Sequence, residues 1–250
     1  MELNSDISAV VTGGASGLGA AVVVGLLAKG VKVAILDMNA LDEKSDAVFC
    51  QTDVTDPDSV IAALEKAREV NGQERICVNC AGIAPAAKTV SRGAAHDAAL
   101  FQKVINVNLV GSFNVSSQSA LGMSEAGILN DDDERGVIIN TASVAAFEGQ
   151  IGQIAYGASK GGVAAMTIPM ARDLAKLGIR VMAIAPGIFG TPMVTAFPQE
   201  VQDSLASNIP FPSRLGAPNE FARLAMHIAE NSFLNGEVIR LDGATRMQPR

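Results

Sequence analysis

Ile7-Ser8-Ala9-Val10-Val11-Thr12-Gly13-Gly14-Ala15-Ser16-Gly17-Leu18-Gly19 runs from an apolar, β-branched stretch straight into a glycine turn, and the helix-patterned Ala20–Lys29 follows without a spacer. Strand, glycine turn and helix in immediate succession bring a helix N-terminus, with its unpaired N–H groups, up to a phosphate. Gly13, Gly17 and Gly19 permit a tight turn, close approach of backbone to a pyrophosphate and close helix packing. Gly13, Ser16, Gly17, Leu18 and Gly19 are the candidate cofactor contacts of this segment. Taken alone, such a turn also fits an ordinary strand-to-helix connection. A second apolar stretch, Val31–Leu36, ends in Asp37. A carboxylate at that point accepts hydrogen bonds from the adenine-ribose hydroxyls and repels a 2′-phosphate, so NAD is favoured over NADP.

Outward from this segment, short apolar runs alternate with helix-patterned stretches. Val10, Val33, Ile76–Val78, Val137–Ile139, Ile179–Ile184 and Val238–Leu241 mark the strands. That alternation predicts an α/β protein: a single-domain, Rossmann-type, doubly wound parallel sheet with helices on both faces, spanning residues 1–250. With 48% hydrophobic residues the chain can bury one large core, and neither a linker nor a repeat divides it. A ligand then belongs beyond the strand carboxyl ends, where Gly13, Asp37, Asn79, Ser143 and Pro186 all fall.

Tyr156 and Lys160 stand four residues apart, and Ser143 closes the apolar run Val137–Thr141. If Gln153–Asp173 is a helix, the tyrosine and lysine share one face a turn apart. A neighbouring ammonium favours phenolate, and is expected to pull the phenol down from about 10 toward the operating pH, where a general base works best. Ser143 can hold the substrate oxygen while Tyr156 moves the proton. Alone, the Tyr-x-x-x-Lys pair fits an exposed helix face equally well.

Together the Thr12–Gly19 turn, Asp53, Asn79-Cys80-Ala81-Gly82, Asn106-Val107-Asn108, Ser143, Tyr156, Lys160 and Pro186-Gly187 leading to Thr191 resemble the classical short-chain dehydrogenase/reductase family over essentially the whole chain. The resemblance implies a catalytic tetrad of Asn108, Ser143, Tyr156 and Lys160, with Asn108 holding a water that links Lys160 to solvent. It implies that Asp53 and Val54 meet the adenine, that Cys80, Ala81 and Gly82 line the cofactor, and that Tyr156 and Lys160 also contact it. Pro186, Gly187, Phe189 and Thr191 complete the cofactor set, Thr191 through the nicotinamide amide. Cys80 departs from the pattern, since the family usually has asparagine there. Val137–Gln150, Phe211–Gly216 and Leu234–Gly243 are similar to a subgroup that oxidises 3-hydroxyacyl-CoA esters and hydroxysteroids. The reaction implied is NAD-dependent interconversion of a secondary alcohol and a ketone. A hydroxysteroid or other alcohol, a 3-oxoacyl carrier-protein reductase and a non-catalytic scaffold that kept the fold remain as alternatives.

The substrate side is expected to draw on Ser143, Tyr156, Gln150 and Gln153, under an apolar lid over 189–215 carrying Phe189, Met193, Phe197, Ile209 and Phe211. The same loop would also suit packing on a neighbouring subunit. Alanine-rich helices at 94–120 and 155–175 suit close pairing, and the resemblance implies a homotetramer. Cys77 and Cys80 lie three apart on a strand and point to opposite faces, so neither a disulfide nor a metal is expected of them. Three cysteines in all fit a reducing compartment. His96 and His227 lack partners at ligand spacing, and Asp131–Glu134 reads as a solvated loop. Pro169 is expected to kink the Tyr156 helix or end its first half. A net charge of −7 argues against nucleic acid as a partner. With no apolar run of membrane-spanning length and no signal peptide, the expected compartment is the cytoplasm, with the mitochondrial matrix as the alternative.

Overall fold

Five consecutive buried residues form β1 (Ser8–Thr12), the strand from which the whole sheet is laid out. The computed structural model describes residues 1–41 and 45–249. β1 pairs in parallel with β2 (Lys32–Asp37) on one side and with β4 (Ile76–Asn79) on the other. β3 (Val48–Gln51) continues beyond β2, and β7 (Gly136–Thr141), β8 (Ile179–Pro186) and β9 (Val238–Leu241) continue beyond β4. The order β3-β2-β1-β4-β7-β8-β9 is parallel throughout and reverses direction between β1 and β4. In an open sheet of this order the carboxyl ends at that reversal bound a crevice, and the parallel sheet is the one the alternation in the sequence predicted.

Strand side chains alternate between two cores, as period-two geometry requires. Val11, Val33, Ile35, Val78 and Ile139 face α1 (Gly17–Ala28) and α8 (Pro218–Glu230), which bring Val22, Leu26 and Phe221. Val10, Ala34, Leu36, Cys77 and Ile138 face α2 (Pro57–Asn71), α4 (Gly111–Glu125) and α5 (Ile154–Leu174), which bring Leu64, Met123 and Ala171. Cys77 belongs to the second core and Cys80 packs against the first, so the two thiols do lie on opposite faces.

The strand expectations missed β3 and the hairpin of β5 (Val90–Ser91) and β6 (Ala94–Ala95). β3 is a short edge strand and the hairpin is exposed on both strands, so neither carries a sustained apolar run. α3 (Ala98–Ile105) joins α4 through a π-helical turn, Asn106–Val110, and the three form one continuous helical stretch. Among the described residues, no helix is long and apolar enough to cross a membrane.

Two further readings are corrected. Pro169 does not end the Tyr156 helix, because α5 runs unbroken to Leu174. Val163, Thr167 and Ala171 hold it to the sheet on both sides of the proline, and this packing outweighs one lost backbone hydrogen bond. The run Asp131–Glu134 is solvated only through Asp133, because Glu134 is buried at 3% exposure. Its Oε1 accepts from Arg180 Nε and Nη2 at 2.9 and 2.7 Å, and its Oε2 accepts from the Met1 amino group at 2.9 Å and from Asn130 Nδ2 at 2.8 Å. The remaining Arg180 donors reach the carbonyls of Ile228, Ala229 and Leu234. This pair ties the start of β7 to β8 and the end of α8.

Burial raises the Glu134 carboxyl pKa, but the Met1 amino group and Arg180 outweigh it and hold it below the usual carboxylate range. Glu134→Ala leaves Arg180 buried without a counter-charge and is expected to cost about 3–5 kcal/mol in denaturant unfolding at neutral pH. A carboxyl with a depressed folded pKa gives stability above its unfolded value and loses it as pH falls. The gap between wild type and Glu134→Ala is therefore expected to narrow below about pH 4, where such a carboxyl ordinarily titrates.

Candidate active site

Where β1 ends, three backbones pass too closely for any side chain. Gly13 takes φ +63°, and a Cβ there would lie 2.8 Å from Ala81 N; a Cβ on Gly19 would lie 2.2 Å from the Gly13 carbonyl oxygen. Gly17, at φ +56°, opens α1, and the Ser16 side chain makes no capping hydrogen bond to it. The first N–H groups of α1, the helix that Leu18 and Gly19 continue, are thus left facing the crevice, which fits a pyrophosphate. Thr12 Oγ1 accepts from both Cys80 N and Ala81 N at 3.1 Å, locking the end of β1 to the end of β4. Asp37 stands at the end of β2, its Oδ2 accepting from Ala15 N at 3.1 Å and its Oδ1 from Asn39 N at 3.0 Å. The carboxylate is thereby held beside the glycine turn, where ribose hydroxyls would reach it.

The other expected cofactor residues are distributed around the same crevice. Asp53 Oδ1 accepts from Thr55 N and Thr55 Oγ1 at 2.9 and 2.7 Å, shaping the turn into α2, and Val54 is buried against the Gly111 backbone. Gly187 is held to β9 by its N–H on Leu241 O at 2.9 Å, directly after Pro186 ends β8. The Thr191 side chain lies over Gly17, whose notional Cβ would stand 3.6 Å from it. Phe189 differs, because its ring is buried edge-on against Phe221 at 6.5 Å and only its main chain is left to face a cofactor.

Ser143 follows β7 and caps the single 3-10 turn Val144–Ala146, its Oγ accepting from Ala145 N at 3.1 Å. That bond fixes the rotamer and leaves the hydroxyl hydrogen free to donate. Tyr156 and Lys160 occupy successive turns of α5, with Lys160 Nζ 5.9 Å from the centre of the phenol ring. Nζ is buried and donates to Thr141 O at 2.6 Å. The π turn directs Asn108 inward: Oδ1 accepts from Ile83 N at 2.8 Å, and Nδ2 donates to Ile83 O and Ser159 Oγ at 2.9 and 3.0 Å. Both amide hydrogens are used, so a water held by Asn108 must sit on an oxygen. A Cβ on Gly82 would lie 3.2 Å from Asn108 Oδ1 and 3.7 Å from Lys160 Nζ, so these two groups flank one small space that glycine keeps open.

The electrostatics correct one expectation. Burial pushes the Tyr156 phenol up, opposed only by the Ser143 hydroxyl, and Lys160 does not pull it down in this geometry. The lysine is itself buried: loss of water brings its pKa down to about 8, and its nitrogen is turned to the Thr141 carbonyl. Burial likewise pushes the Cys80 thiol up to about 11, against a contact from Thr141 Oγ1 at 3.5 Å. Gln153 Oε1 accepts from Gln150 N at 3.0 Å, and Gln150 Nε2 donates to Gln248 O at 3.0 Å, so both amides already brace the loop before α5. Thr12, Thr141 and Ser159 were not singled out from sequence. Only Ser159 carried a signal, standing three residues after Tyr156 and one before Lys160 on the same helix. Among the described residues, no group of three or more His, Cys, Asp or Glu side chains is placed to hold a metal ion.

A family model described as short chain dehydrogenase matches residues 8–202. The chain belongs to that family. It is 55% identical over 253 aligned residues to the 3-hydroxyacyl-CoA dehydrogenase type-2 of Bos taurus, covering 96% of this chain and 95% of that one. The protein of the same name from Homo sapiens is 53% identical with the same coverage. A crystal structure of 3-hydroxyacyl-CoA dehydrogenase type-2 from Mycobacterium avium superposes with a TM-score of 0.92 at 42% identity, over the full length of both chains. As a short-chain dehydrogenase the chain is an oxidoreductase, and Asn108, Ser143, Tyr156 and Lys160 lie beyond the carboxyl ends of β4 and β7.

Lys160 is buried at a cost to stability. Its folded pKa is near 8 and its unfolded value near 10.5, so between these the unfolded chain binds more protons and stability rises with pH. Lys160→Met is therefore expected to melt at or above the wild type near pH 7, with the gap closing in the wild type's favour as pH climbs through that window. Thermal melts across that pH range check this.

Proposed function

We propose that this chain is an NAD-dependent dehydrogenase that interconverts 3-hydroxyacyl-CoA and 3-oxoacyl-CoA, with Tyr156 as general base. The observation that carries the reading is the convergence of Ser143, Tyr156, Lys160 and Asn108 beside a glycine turn that leaves room only for backbone. The cofactor is NAD, a choice supported by the Asp37 carboxylate fixed beside that turn. The substrate class is supported by the relatives at 53–55% identity over nearly the full length, both called 3-hydroxyacyl-CoA dehydrogenase type-2.

Bound NAD supplies the hydride acceptor. In the oxidising direction Ser143 donates its free hydroxyl hydrogen to the substrate oxygen and fixes it near the phenol. Tyr156, as phenolate, takes the hydroxyl proton. Lys160 binds the nicotinamide ribose and places a cation next to the developing charge, and its departure from Thr141 O toward the phenol is the adjustment this role requires. The proton leaves through the small space between Lys160 Nζ and Asn108 Oδ1. In the reducing direction the same groups return it.

The segment 189–215 is proposed as a substrate lid, anchored by buried Phe189 at its start and by buried Ile209 within it, with Met193, Phe197 and Phe211 exposed to cover an apolar chain. The assembly proposed is a homotetramer. α4 carries exposed Phe113 and Leu121, and the turn after α5 carries exposed Leu177, around a groove of about 440 Å³, a face suited to a second copy. Light scattering on the purified chain is expected to give four copies, and a monomer at micromolar concentration would overturn the assembly. Free Cys50, Cys77 and Cys80 fit a reducing compartment, in keeping with the cytoplasm or, as the second choice, the mitochondrial matrix, and the names of the relatives support a role in fatty-acid metabolism.

The test is NADH formation from short 3-hydroxyacyl-CoA esters with NAD or NADP. Turnover is expected with NAD and not with NADP. Tyr156→Phe is expected to retain NAD binding and lose turnover by about 10²–10⁴-fold. Near-normal turnover of that variant would remove Tyr156 from the base role.

A further inference from the structure

The loop between the two reacting side chains, residues 144–153, is held from outside by the far end of the chain. Glu148 is its central attachment. Its Oε1 accepts from Arg240 Nη1 at 2.9 Å and its Oε2 accepts from the Met247 N–H at 2.9 Å. Arg240 lies with its guanidinium 5.6 Å from the centre of the Phe147 ring, and its other donors reach Asp242 Oδ2 at 2.8 Å and Thr245 O at 3.1 Å. Arg246 adds a looser contact to Glu148 at 3.4 Å. Beyond Met247 the chain keeps to the same loop, since Gln248 O accepts from Gln150 Nε2 and Pro249 O accepts from Ile151 N, both at 3.0 Å. From the opposite side, Ala87 N donates to Gly152 O at 2.8 Å.

We propose that residues 245–249 act as a strap, with Glu148 and Arg240 as positioning residues that hold Ser143 and Tyr156 at their working separation. The stretch between these two residues includes Gly149 and Gly152, of which Gly152 sits at φ +91°, and it has only the one 3-10 turn of regular structure ahead of α5. Such a segment has little internal stiffness. Ser143 itself is fixed by the first turn of the loop, and Tyr156 by the residues just after its last. α5 and the sheet set the coarse separation, and slack in the loop adds to it as a change in the distance between hydroxyl and phenol. A misplacement of reacting groups by about 1 Å can cost about 100-fold in rate. None of the strap residues is among those placed at the glycine turn, so cofactor binding is separable from the effect.

Glu148→Gln tests this selectively. The amide can still accept from Arg240, but its NH2 group then meets the Met247 N–H donor to donor. Shortening the chain after Arg246 removes the same contact from the other partner. Each change is expected to lower kcat by about 10- to 100-fold while NADH affinity and thermal melting stay near wild type, and the combined variant is expected to be no worse than either alone. A kcat within about twofold of wild type in both variants would overturn the strap, and so would a parallel loss of NADH affinity and melting temperature, which would make the contact one of general stability. The proposal rests on the dehydrogenase reading for its rate measurements, so amide hydrogen exchange separates the two. Exchange at residues 144–157 is expected to speed up in both variants whatever substrate the enzyme turns over, and unchanged exchange would overturn the strap alone.

Discussion

The close passage of backbone at Gly13, Gly19 and Ala81 fixes the distance between β1, α1 and the end of β4. A side chain at Gly13 would strike Ala81 N at 2.8 Å, and one at Gly19 would strike the Gly13 carbonyl at 2.2 Å. Thr12 Oγ1 then holds Cys80 N and Ala81 N on the far side of the same turn. With β1 and β4 locked at their carboxyl ends, β7 and β8 follow in register, and Ser143 and Pro186 emerge at one level of the sheet. Rigid parallel strands thus do the coarse positioning. The fine positioning is left to loops and helix turns, which is where each tetrad side chain is found.

The π turn shows how this second level works. A regular helix from Ala98 to Glu125 would carry Asn108 on a fixed spiral; the wider turn at 106–110 instead swings it into a buried site where both ends of its amide are satisfied by Ile83 and Ser159. Ser159 in turn donates to Tyr156 O, so the helix with Tyr156 and the helix with the asparagine are joined by one hydroxyl. The glycine at 82 completes the arrangement by leaving space between Asn108 and Lys160.

How much of this was legible in the sequence follows from range. The six marked strands, the glycine turn, the place of Asp37 at the end of β2 and the grouping of Asn108, Ser143, Tyr156 and Lys160 around one space were readable because each is signalled by neighbours within a few positions, or by a motif. β3 and the β5–β6 hairpin were not, since two to four residues at a sheet edge or in solvent show no periodicity. The proline in α5 misled because local propensity was overridden by packing of Val163, Thr167 and Ala171 on the sheet. Glu134 misled for the complementary reason: three preceding aspartates announce solvent, and the partner that buries the fourth acid is Arg180, 46 residues away. The lowered tyrosine pKa was inferred from spacing alone, whereas the direction Lys160 takes is decided by Thr141 O on another element.

Among the described residues Arg180 and Lys160 are buried basic side chains, and the difference between them separates structure from chemistry. Arg180 has a carboxylate on two of its nitrogens and carbonyls on the rest, so its charge is matched where it stands. Lys160 has one carbonyl and no carboxylate, so burial is offset by little, and its proton is held loosely enough for the pKa to fall to about 8. A fully paired lysine at that position would stabilise the fold and could not lend its charge to a neighbouring phenol. In the proposed mechanism the missing counter-charge is the functional feature, because it leaves the ammonium free to turn from Thr141 O to Tyr156.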